Sequence, residues 1–194
     1  MEPCSLKRMF NAARAAQIAA FFAHKQGGVI NVMKLMKLMY LADREALDQY
    51  GEPITYDHMV SLDHGPILSQ TLNLINGGVR QEVLAQWEEW ISDRSNYDVR
   101  SKRHHITREQ LDQLSDVDME VLETTWGTFG AMDQWALSDF THKHCKEWVD
   151  PHGSSRPIAE MDVLLALGKP QEQASALAQR IQAERELDSI FAQL

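Results

Sequence analysis

The stretch from Ile30 to Gly51, INVMKLMKLMYLADREALDQYG, constrains the fold more than any other part of the chain. Through Ala42 its apolar residues fall on every side of a helix, and a helix that is apolar all round has to be surrounded by other elements. It is therefore predicted to be the central, most buried helix. Asn31 is placed to cap its first amides, and only Lys34 and Lys37 interrupt its first half. The DREALDQ that follows alternates acidic and basic residues and marks the end emerging into solvent.

Helical spacing recurs on both sides of this segment. Met9, Ala13, Ala16, Ala20 and Ala23 predict a helix from about Ser5 to Gln26, which Gly27-Gly28 would end. After the central helix, GEPITYDHMVSLDHGP reads as an extended connection. Pro66 then suits the first turn of a new helix, ILSQTLNLI, because proline's missing amide hydrogen is not needed there. Between Val79 and Ile106 the pattern is ambiguous and ends in weak alternation, which predicts a small β-hairpin near residues 85–106. Ser115 with Asp118 resembles a capping box, opening a helix whose apolar face is Val117, Val121, Leu122 and Trp126. A second helix carries Met132, Trp135, Ala136 and Phe140 in register, and IAEMDVLLALG makes a further short one. The last, from Gln171, is amphipathic through Leu177, Ile181, Leu187, Ile190 and Leu194, and either closes the core or packs against a partner helix. The expected fold is mainly α: a compact single helical domain of about six to seven helices with one small β-hairpin. Residues 1–168 would form the domain and residues 169–194 a C-terminal amphipathic helix.

Composition narrows the function. No run approaches the roughly 18 apolar residues of a membrane span, and MEPCSLKRMF lacks the apolar segment of a signal peptide, so a cytoplasmic location is expected. Cys4 and Cys145 could form at most one bridge and fit a reduced compartment better. A net charge of −9 disfavours a phosphate backbone and suits a basic protein partner. The RSKRHH cluster, Arg100 to His105, is either a solvated turn or a local nucleic-acid contact.

The chemistry-bearing residues concentrate in THKHCKEWVDP, Thr141 to Pro151. His142, His144 and Cys145, with Glu147, His58, His64 or His152 as recruits, have the residue types of a zinc site. Residues two apart on a helix, however, point about 200° from each other, so the cluster would not converge. No HExxH, CxxC pair, GxSxG, P-loop or GxGxxG accompanies it, so no metal, cofactor or enzymatic activity is expected. The alternative is structural. Thr141 can bond to a carbonyl one turn back, His142 can bridge to a neighbouring helix or to the Gly65-Pro66 turn, and Trp148 offers a broad apolar face. Lys34, Lys37 and Arg44 could form a basic stripe, or the lysines could reach out along the core edge. Asp43 could pair with Lys37 or Arg44, or cap the turn that follows. Tyr40 reads as a core aromatic. His64-Gly65-Pro66 is a sharp turn, or a place where another backbone approaches closely.

KLMKLMYLADREALDQYGEPITYDHMVSLDHGPILSQTLNLI, Lys34 to Ile75, resembles the core signature of the SocA/Panacea antitoxin domain: a KLxKLxYLAD helix, a YGxPIT turn, and a polar connection ending in GP. The later LSDVDMEVLETTWGTFGAMDQWALSDFTHKHCKEW is similar to that family's second half, where a helix pair leads to a TH-and-W segment. The resemblance covers Ala12 to about Trp148. It implies an antitoxin that holds a protein toxin inactive by direct binding, or an adaptor that presents the toxin to a ClpXP-type protease. A DNA-binding autoregulator of the operon is the alternative, and a metal- or cysteine-dependent hydrolase a more remote one. The resemblance puts Thr141, His142 and Trp148 on the TH-and-W segment, and their chemistry leads to the expectation that His142 locks the domain and Trp148 contributes to, or borders, the toxin-binding face. The expected partner-binding residues are Lys34, Lys37, Tyr40, Arg44, His64, Gly65, Pro66, Thr141, His142 and Trp148. A homo-oligomer is compatible with this reading.

Overall fold

Two asparagines open the helices around which the chain is organised. In the computed structural model, which describes residues 9–191 with side chains through Leu187, Asn11 Oδ1 accepts the Arg14 amide and starts α1 (Ala12–Lys25). The helix thus begins at Ala12, because Asn11 has extended backbone; Cys4 and the expected start at Ser5 lie outside the described residues. A short strand, β1 (Val29–Asn31), leads into α2 (Val32–Tyr50), where Asn31 Oδ1 takes the amides of Met33 and Lys34 at 3.0 and 3.4 Å. The expected central position of α2 is observed: every residue from Leu35 to Asp43 is buried.

The GEPITYDHMVSLDHGP segment contains more order than a connection. Strands β2 (Met59–Leu62) and β3 (Gly65–Leu68) form an antiparallel hairpin around a two-residue turn, Asp63-His64. Pro66 opens no helix; it lies in β3 opposite Ser61. Leu62 and Gly65 flank the turn as a hydrogen-bonded pair, so the next pair, Ser61 and Pro66, is a non-bonded one where proline's missing N–H is no loss. The helix α3 (Ser69–Ile75) starts at Ser69, where the Asp57 carboxylate accepts the amides of Gln70 and Thr71, both at 2.8 Å.

The predicted hairpin near 85–106 is present only in part. Gln81–Glu88 is a helix, α4, and the strand β4 (Asp98–Arg100) pairs antiparallel with the distant β1. Within the segment only the isolated bridges Ile91 to Ser101 and Ser95 to Asp98 turn the chain back. Next come α5 (Asp116–Phe129), opened by the Ser115–Asp118 capping box as expected, and α6 (Gln134–His144). Val117, Trp135 and Ala136 point outward instead of into the core. The buried stripe of α6 is Leu137, Ser138 and Thr141, whose two hydroxyls an apolar periodicity cannot register.

A third strand, β5 (Arg156–Ile158), too short for alternation to reveal, joins β2 and completes a sheet of order β3-β2-β5. Then follow α7 (Glu160–Ala166) and α8 (Gln171–Phe191), so the described residues contain eight α-helices, one more than the upper expectation, with α4 the addition. Ala174 and Ile181 of α8 are buried, Leu177 covers Gly51, and Lys169 pairs with Asp48 at 2.7 Å, so this part of the helix closes the core. Leu187 is exposed; the Ile190 side chain and Leu194 lie outside the described atoms. No described helix is long and apolar enough to cross a membrane.

Candidate functional site

The β2–β3 hairpin is held from behind by α2, by α6 and by the loop that follows α6. Five hydrogen bonds converge on it: Lys37 Nζ to the Pro66 carbonyl, Ser138 Oγ to that of His64 and Trp148 Nε1 to that of Leu62, each 2.9 Å, the Val149 amide to Ser61 Oγ at 3.3 Å, and the Gly153 amide to Asp63 Oδ1 at 2.9 Å. Thr141 Oγ1 donates to the Ser138 carbonyl at 2.9 Å, the back-bond to the preceding turn expected of it. The His142 ring stacks on Trp148 with centroids 4.1 Å apart and planes 17° from parallel. Gly65 has φ 98°, and a Cβ there would sit 2.7 Å from both Lys37 Nζ and Thr141 Oγ1 and 3.2 Å from His142 Cδ2. The turn is therefore sharp, and what approaches it closely is side chains, not another backbone.

The two lysines of α2 are neither a basic stripe nor an outer edge. Lys37 is fully buried and Lys34 nearly so; each turns inward onto a backbone carbonyl that lacks a partner in its own element. Pro66's carbonyl points away from β2, and Lys34 Nζ reaches the Gly130 carbonyl at the C-terminus of α5 at 2.7 Å, where orphan carbonyls and the helix dipole favour a cation. Burial lowers the pKa of both amines, that of Lys37 to about 7.

One helical turn further on, Tyr40 Oη and Arg44 Nε both donate to Glu147 Oε1, at 2.6 and 2.7 Å. The Glu147 side chain has no exposed surface, so Arg44 supplies the compensating charge that a buried carboxylate requires. Burial first, and Glu147 next, raise the Tyr40 phenol well above its ordinary value and keep it a donor. Asp43, fully buried, pairs with neither Lys37 nor Arg44. It caps the following turn, accepting the amides of Ile54 and Thr55 at 2.9 Å and the Thr55 hydroxyl.

Cys145 is buried and its thiol is pushed up to about 12 by that burial, which leaves no thiolate at neutral pH. His144 is exposed and stacks on Phe140 at 4.4 Å, apart from His142. Among the described residues no three His, Cys, Asp or Glu side chains are grouped so as to hold a metal ion. In the RSKRHH cluster, Lys102 donates to the Glu88 carbonyl, and Arg103 pairs with Glu89 at 2.8 Å while lying 4.5 Å over the Trp90 ring, so these two cations are engaged within the chain.

Beside the hairpin opens a groove of about 860 Å³, with Met33, Met36 and Ile67 among its lining and Gly65 at its edge. Trp135 and Tyr97, 57% and 72% exposed, also line it, and the His64 ring sits edge-on to Trp135 at 6.1 Å. Of the ten expected partner-binding residues, only His64 is exposed; Arg44, His142 and Trp148 are half-buried, and Lys34, Lys37, Tyr40, Gly65, Pro66 and Thr141 are buried. The structure brings Lys37, His64, Gly65, Pro66, Thr141, His142 and Trp148 together around the turn, and sets Tyr40 and Arg44 on Glu147 and Lys34 at the end of α5. Sequence reasoning missed Glu147 as the acceptor for Tyr40 and Arg44, though their four-residue spacing places two donors on one helix face. It also missed Trp135, assigned to the core, and Tyr97; a tryptophan two residues after the Asp133 cap, in the first turn of α6, was the available signal.

The family model described as Antitoxin SocA-like, Panacea domain, matches residues 35–149, from the second turn of α2 through the α6 end that holds the hairpin. No curated protein and no solved structure matches the chain. With more than half of its length matched by that family model, the chain belongs to the SocA-like antitoxin family, Panacea domain.

Proposed function

We propose that this chain is an antitoxin that neutralises a protein toxin by direct binding, and that the face built on the β2–β3 hairpin makes the contact. The family match over residues 35–149 carries the reading. The geometry supports it: a turn fixed by bonds to its own backbone loses little freedom on binding, so less of the contact energy is spent on ordering. In this reading His64 and Trp148 touch or border the toxin, Lys37, Thr141 and His142 hold them in position, and Lys34 and Tyr40 fix α2 behind them against Gly130 and Glu147. Gly65 and Pro66 set the shape of the turn from within, and Arg44 neutralises Glu147.

The test is co-expression with the product of a neighbouring reading frame that arrests growth when expressed alone. Restored growth with co-purification of the two proteins is the expected result; restored growth with toxin present at full level and no complex would refute direct binding. Toxin that persists at full level during rescue assigns the chain to blocking. Loss of toxin that depends on ClpP assigns it to delivery to a ClpXP-type protease.

A further inference from the structure

Resting on the antitoxin reading above, we infer that the groove beside the hairpin takes an amphipathic helix of the toxin, with apolar side chains facing inward and lysine or arginine at its flanks. The first argument is what the groove's polar groups are free to do. The outer edge of β3 offers no strand template, since Pro66 has no N–H and its carbonyl is held by Lys37. The outer edge of β5 carries Pro157, also without an N–H. The N-terminus of α2 has no amide to spare for an anion: Val32 N donates to the Tyr97 carbonyl at 2.7 Å, and Met33 N and Lys34 N to Asn31. Arg94 Nε is bonded to the Asn96 carbonyl at 2.7 Å, Nη1 to Asn76 at 3.0 Å, and its guanidinium lies over the Tyr97 ring. Apart from Asp63, His64 and Gln134, what remains for a ligand is apolar: methionines that adapt to varied shapes, Ile67, and the two exposed aromatics. With strand addition closed at the edges of the three-stranded sheet, this is the surface that apolar anchors at helical spacing fill.

Charge gives the second argument. Asp63 is the acidic residue of the groove's lining. It enters no ion pair among the described residues, whereas the two cations of the lining are engaged within the chain. Together with the net charge of −9, this leaves the rim complementary to a basic partner.

The experiment uses the full chain co-expressed with the growth-arresting neighbour, with the photo-crosslinker p-benzoylphenylalanine at position 135 and, as a control, at the exposed position 165 on α7. Crosslinks from 135 alone, mapping to a helical toxin segment with apolar residues three and four apart and basic flanks, support the inference. Trp135→Ala and Tyr97→Ala should each weaken toxin binding about 30-fold or more in calorimetry, with Leu165→Ala unchanged. Crosslinks to a second copy of this chain, to its own C-terminal residues, or to an extended or acidic toxin segment overturn it. So does the absence of a crosslink from 135 while the toxin still co-purifies, an outcome that leaves the antitoxin reading standing. No rescue and no complex overturn that reading, and the groove's assignment with it.

Discussion

Gly65→Ala tests whether the hairpin is held as tightly as its geometry indicates. A residue with a Cβ held at φ 98° costs about 1 kcal/mol or more in backbone strain. The new methyl would also stand 2.7 Å from Lys37 Nζ and Thr141 Oγ1. Accommodating it in a packed site costs about 1–3 kcal/mol, and pushing Lys37 off the Pro66 carbonyl leaves a buried amine unpaired at a similar cost. Moving Lys37 relieves part of the clash, so these last two do not add in full, and about 4 kcal/mol is the expected loss. Gly153 supplies the control, since it has φ 82° but nothing within 4 Å of a Cβ, and Gly153→Ala should cost only the strain of about 1 kcal/mol. Urea denaturation of the purified variants reads the difference, with the Gly65→Ala midpoint falling by about 2 M at a typical slope. Two alanine variants within 1 kcal/mol of each other would refute the close approach of Lys37 and Thr141 to the turn.

Three further outcomes follow from the same contacts. Trp148→Phe keeps a ring against His142 but loses the donor to Leu62, so it should cost about 1 kcal/mol of stability, while Trp148→Ala should lower toxin affinity by about 2 kcal/mol or more, both measured on the purified complex. Asp43→Asn retains an oxygen for the Ile54 and Thr55 amides and should stay within about 1 kcal/mol of wild type, whereas Asp43→Ala strands two amides and a hydroxyl and should cost about 3 kcal/mol in chemical denaturation. Stability should also depend on pH through Lys37: between pH 7 and about 9 the unfolded chain still binds the proton that native Lys37 gives up near 7, so stability rises with pH. Lys37→Met should flatten that rise. Above about 9 the unfolded Cys145 thiol ionises while the native one, raised to about 12, does not; this offsets the Lys37 rise, so the curve should level off there and Cys145→Ala should extend the rise.

What the sequence disclosed and what it concealed divide by the range of the interaction. The position of α2 was legible because an all-round apolar helix admits one kind of surroundings, and the Asn31 and Ser115 caps because their bonds span two or three residues. The strand at Pro66 was not, since its pairing state depends on a turn that local proline statistics read as a helix start. The solvent-facing side of α6 was misread for a related reason: Ser138 and Thr141 are buried by a hairpin some seventy residues earlier, as the Ser138 bond to the His64 carbonyl, 74 residues away, makes plain. The lysines of α2 carry the argument furthest. Their acceptors lie 29 and 96 residues away, at Pro66 and Gly130, so no local pattern identifies them. Yet the two facts that demand them were both in KLMKLMYLAD: a helix with no outer face, and two cations on it. A charge that cannot reach water must find an acceptor, and the carbonyls without partners in their own element are those on a strand edge and at a helix end. Read that way, Lys34 and Lys37 announce that a sheet edge and a helix C-terminus pack against α2, and thereby where the hairpin and its groove are anchored.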